Sequence, residues 1–128
     1  MNFIISMHIQ GLGVAPKFLA LKDLFLSSRP YIILIQKTMH YVQQVIGYLR
    51  KMFLDWYMVA IDAASQSSGL ATLWDPRWVH LRSFSCFVGV LLYGCVQGFL
   101  GHLHILNIYD PYKDRRLFWE GLIASQIL

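Results

Sequence analysis

The chain has 128 residues, enough for one domain around one core, and carries 11 Lys and Arg against 7 Asp and Glu for a formal net charge of +4. Hydrophobic residues make up 56% and charged residues 14%, with a mean hydropathy of +0.46. That is an oily balance for a soluble protein, and it calls for an apolar surface or a covering partner. The basic residues are spread along the chain, so the excess favours acidic partners weakly and excludes a dense patch.

Residues 1–9 lack the basic start and small-residue cleavage site of a secretory leader. The reading is therefore an intracellular protein, nuclear or cytoplasmic. Cys86 and Cys95 stand nine apart in the most hydrophobic region. They read as free thiols of a reducing compartment rather than a disulfide framework. Residues 84–100 (FSCFVGVLLYGCVQGFL) hold no charge over 17 positions. A spanning helix needs about 20 apolar residues, so this run is at the lower limit. Three glycines, Gln97 and many β-branched or aromatic residues point to two buried strands instead. A membrane-associated protein using 84–100 is kept as an alternative to that reading.

In chain order, 2–7 (NFIISM) fits a buried strand, followed by a Gly11-Leu12-Gly13 turn that is too short for a phosphate-binding loop. Pro16 suits the start of a helix over 17–28, with Phe18, Leu21, Leu24 and Phe25 at helical spacing and Pro30 beyond its end. The run 31–36 (YIILIQ) is a near-continuous apolar strand, as in a sheet buried on both faces. Thr38 is placed to cap a second helix with the stripe Met39, Val42, Ile46, Leu49 and Phe53, and with Arg50 and Lys51 near its C-terminal end. Strands follow at 57–61, 70–74 and 79–87, the second stopped by Asp75-Pro76. A hairpin pairs 88–96 with 103–109 around Gln97-Gly98-Phe99, and a helix begins near Arg115. Trp74 and Trp119 read as core. The expected class is α+β, or layered α/β, in one domain over 1–128 without repeats or linkers.

Four segments carry a resemblance. NFIISMHIQGLG is similar to a strand and loop ending Trp-Asn-x-Arg-Gly-Leu-Gly, and RPYIILIQKTM to Lys-Pro-Asp-Ile-x-x-Leu-Gln-Glu-Thr-Lys. SQSSGLATLWDP is similar to Ser-x-Gly-Gly-Leu-Ala-x-Leu-Trp, and NIYDPYKDRRLFWEGL to Asn-x-Tyr-Gly-Pro with an arginine-rich helix start. In this order the chain resembles the endonuclease/exonuclease/phosphatase superfamily, nearest to the endonuclease domain of plant LINE-type (non-LTR) retrotransposons. The resemblance implies a deoxyribonuclease I-like, four-layer αββα sandwich. It covers roughly the first half of the family domain, because the later Asp-x-Asn and Asp-His motifs would lie beyond Leu128.

The family cleaves phosphoesters with a divalent ion, usually magnesium, which wants hard oxygen ligands. The resemblance makes the first motif's asparagine and the second motif's glutamate the residues that hold or orient that ion, and gives the tyrosine a phosphate contact. Here His8 stands in the asparagine's place and Lys37 in the glutamate's. Tyr109 matches and keeps Pro111, with Asp110 at the family's glycine. A carboxylate about 4 Å from a divalent ion contributes on the order of 8 kcal/mol at an effective dielectric of 20, and an ammonium reverses the sign. The expectation is an inactive relative that uses no cofactor and has nucleic acid as its partner.

Other candidates have plainer readings. Lys113, Arg115 and Arg116 suit contact with a nucleic-acid backbone or simply a solvated helix start. Lys37 suits a phosphate as a point charge. His102 and His104 lie two apart on one strand, but with no third ligand nearby they read as hairpin surface rather than a metal pair. His40 and His80 read as ordinary helix and strand positions.

Overall fold

The structure, a computed structural model, describes residues 3–9, 15–39, 41–61, 69–86, 89–98 and 101–108. Their elements are β1 (Ile4–His8), α1 (Ala15–Ser28), β2 (Ile32–Gln36), α2 (Val42–Arg50), β3 (Tyr57–Ile61), β4 (Leu70–Trp74), β5 (Val79–Cys86), β6 (Gly89–Val96) and β7 (Leu103–Ile108). One sheet has the order β1-β2-β4-β3, with β1 parallel to β2 and the other pairs antiparallel. The second sheet is the antiparallel meander β5-β6-β7.

The unbroken apolar run of β2 is explained by two cores. Ile33 and Ile35 pack with Leu21 of α1 and with Val45 and Leu49 of α2, together with Ala71 and Leu73 of β4. The alternate residues Ile32 and Leu34 join Trp74, Val79, Val90, Leu92 and Val96 between the sheets. Successive strand residues face opposite sides, so a strand with a core on each side must be apolar at every position. All five residues of β2 and of β4 are buried. Helices thus cover the outer face of the larger sheet. The expected helix near Arg115, and Trp119 with it, lie outside the described residues.

Both helices depart from the expected stripes. In α1 Leu21 is buried and Phe25 half-buried, while Leu24 is exposed beside Leu19 and Leu26. The helix ends as Arg29 turns into the left-handed region (φ 50°), its N–H donating to the Phe25 carbonyl at 2.8 Å. Thr38 does not cap α2. Lys37 and Met39 both take left-handed backbone (φ 59° and 61°), which no helix can continue through. Thr38 between them is fully buried, and its N–H donates to the Gly69 carbonyl at 3.2 Å. The helix starts at Val42, where the Tyr41 N–H donates to Gln44 Oε1 at 3.2 Å. Val45 and Leu49 form its buried face, while Met39 is exposed and Phe53 is buried past the helix end. Phe53, Phe25 and Trp56 make an aromatic cluster, the Phe25 and Phe53 rings meeting edge to face at 4.9 Å. Arg50 Nη1 donates to the carbonyls of Leu54 and Trp56 (3.3 and 3.2 Å), closing the connection to β3.

The sheets are joined by a corner at Asp75. Its carboxylate accepts from the N–H, Nε and Nη2 of Arg77 at 3.0, 3.0 and 2.8 Å. Its backbone carbonyl accepts from the N–H groups of Trp78 and Val79. Burial alone would push this carboxyl up, but the hydrogen bonds and charge of Arg77 outweigh that and hold it below the usual range.

Residues 84–86 end β5 and 89–96 form β6, so the uncharged run builds sheet. No helix among the described residues is long and apolar enough to cross a membrane. The β6–β7 connection begins at Gln97-Gly98, where Gly98 supplies a φ of 88°. Cys95 is a half-buried free thiol.

Candidate functional site

The C-terminal ends of β1, β2 and β7 meet at one edge of the sandwich. Parallel pairing sets His8 opposite Gln36, and the Ile9 N–H donates to the Gln36 carbonyl at 3.0 Å. From the other sheet, β7 brings Asn107 to the same place. Gln36 Nε2 donates to Asn107 Oδ1 at 2.8 Å across the sheet interface, and to Ser6 Oγ at 3.2 Å. Asn107 Nδ2 donates to Thr72 Oγ1 at 3.0 Å and to the Ala71 carbonyl at 3.3 Å. Asn107 is 1% exposed and Gln36 9%. Both N–H bonds of each amide are used, as buried amides require. The network ties three strands of one sheet to the last strand of the other.

Directly beyond this bridge come the residues singled out in the sequence. His8 is the last residue of β1 and is exposed. Lys37 follows β2 immediately, half-buried and in left-handed backbone. The parallel register puts both at the same end of neighbouring strands. Tyr109, with Lys113, Arg115 and Arg116, lies outside the described residues, as does His40. His80, His102 and His104 are exposed on or beside the smaller sheet, away from His8.

Two members of this site, Gln36 and Asn107, lie within the segments that carry the resemblance but outside the positions it ties to the metal or the phosphate. Their signal was in the sequence. Each is the single polar side chain with an inward register at the end of an apolar strand (IILIQ and LHILNI). Such a residue is buried only when it has a partner.

Thr38 and Gly69 form the floor next to Lys37. Gly69 has a φ of 109°, and a Cβ there would collide with Thr38 Oγ1. That hydroxyl is buried without a hydrogen-bond partner among the described residues. Beside β1, a cavity of about 270 Å³ lies against α1, lined by Met7, Ile9, Ala20, Leu21 and Leu24 with His8 and Lys17 as its polar groups.

The groups at this edge do not suit a magnesium ion. Among the described residues it offers an ammonium, an imidazole, the neutral Thr38 hydroxyl and amides already committed to each other, with no carboxylate. Among the described residues no three His, Cys, Asp or Glu side chains converge. Asp55 and Asp75 stand at the other end of the larger sheet, beside the paired Tyr57 and Trp74. A hard divalent cation needs anionic or neutral oxygens that are free to ligate, and Lys37 repels it.

The fold is of the deoxyribonuclease I-like type, a mixed α+β arrangement of two packed sheets, mostly strands. The chain is similar to an AP endonuclease from Leishmania major, with a TM-score of 0.67 at 13% identity over 96% of this chain and 44% of that one. It is likewise similar to TDP2 from Caenorhabditis elegans, with a TM-score of 0.62 at 14% identity over 96% of this chain and 40% of that one. Both belong to the endonuclease/exonuclease/phosphatase superfamily. This chain spans less than half the length of either. At the level of sequence, no protein family and no curated protein matches it.

Proposed function

We propose that this chain is part of a nuclease domain of LINE-type retrotransposon descent that has lost its magnesium-dependent phosphodiesterase chemistry. The observation that carries the reading is Lys37. It directly follows the buried Gln36, where the resembling motif has glutamate, and points the local charge the wrong way for a cation. The shared fold, the DNA-processing activity named for the AP endonuclease neighbour and the four ordered segments support the ancestry. The plant LINE assignment rests on those segments alone.

Nicking of supercoiled DNA by the purified chain with magnesium or manganese tests it. The expected result is no cleavage. Robust cleavage that disappears in Tyr109→Phe would overturn the reading.

A second reading is a non-catalytic nucleic-acid-binding remnant, favoured by the +4 charge and by Lys113, Arg115 and Arg116. Binding that weakens with salt, and weakens further in the Arg115→Ala, Arg116→Ala double variant, supports it. Absence of binding at low salt removes it.

A further inference from the structure

We draw no further inference here: the strongest candidate, the cavity of about 270 Å³ between β1 and α1 where His8 and Lys17 meet an apolar lining, carries nothing, because residues 10–14, which join the two elements, lie outside the described residues and nothing in the structure shows what covers it.

Discussion

At the scale of single residues, the bridge between Gln36 and Asn107 is structural. An unmet buried amide costs roughly 1–3 kcal/mol, more than the ~1 kcal/mol net gain of one hydrogen bond. Asn107→Leu strips Gln36 of its 2.8 Å acceptor and leaves Thr72 without its donor, so it should destabilise by about 1–3 kcal/mol. Adding Gln36→Leu removes the orphan, and the double variant should be more stable than the sum of the single losses predicts. Urea denaturation of the four proteins gives the coupling directly; strict additivity would mean the two amides do not depend on each other. Lys37 carries the opposite lesson. Its charge, on which the proposed loss of the metal rests, was legible in the sequence, whereas its left-handed backbone was not. Non-glycine residues adopt that conformation only where the surroundings impose it.

At the scale of elements, strands were far more legible than helices. The bounds of β3 and β4 follow from short apolar runs flanked by polar sequence. The two-sided burial of β2 follows from five apolar or amide residues without alternation. The second helix was misread because the apolar stripe from Met39 to Phe53 runs through a break that only tertiary structure creates. Thr38 is a good capping residue by type, yet it is held by Gly69 across the sheet end. That contact gives a prediction for the loop. Gly69→Ala places a methyl group against Thr38 Oγ1 and holds alanine at a φ of 109°. The cost should be at least 1–3 kcal/mol of stability, about that of one strained residue. Thermal unfolding monitors it. Reducing Thr38 as well, in a Gly69→Ala, Thr38→Ala variant, should recover the steric part only. The candidate site was legible in the positions the resemblance singles out, His8 and Lys37, and illegible in its supports. No periodicity shows that residue 36 and residue 107 will touch.

At the scale of the whole molecule, the described sandwich is lopsided. Four strands face three, and β1 has a strand neighbour on one side only among the described residues. Ile4 on that edge is 36% exposed, and at the far edge Tyr57 of β3 is 59% exposed. An uncovered edge with apolar side chains is a template for pairing with another chain, and a charge on it blocks that pairing. The chain should therefore self-associate with rising concentration. Ile4→Lys should reduce light scattering at equal concentration without lowering the melting temperature. Unchanged scattering would place the association elsewhere, with the apolar side chains left exposed on α1 the next candidates.

The bridge between the two sheets also bears on the order in which the molecule forms. β5, β6 and β7 are neighbours along the chain and pair through short connections, whereas Gln36 and Asn107 are separated by 71 positions. Closing so long a loop costs entropy that local hairpins do not pay, so docking of one sheet on the other belongs late on the folding route. Contacts made after the rate-limiting step affect escape from the native state rather than arrival at it. In stopped-flow measurements Asn107→Leu should speed unfolding and leave the refolding limb nearly unmoved, which would make this amide pair a clasp on the lifetime of the folded chain.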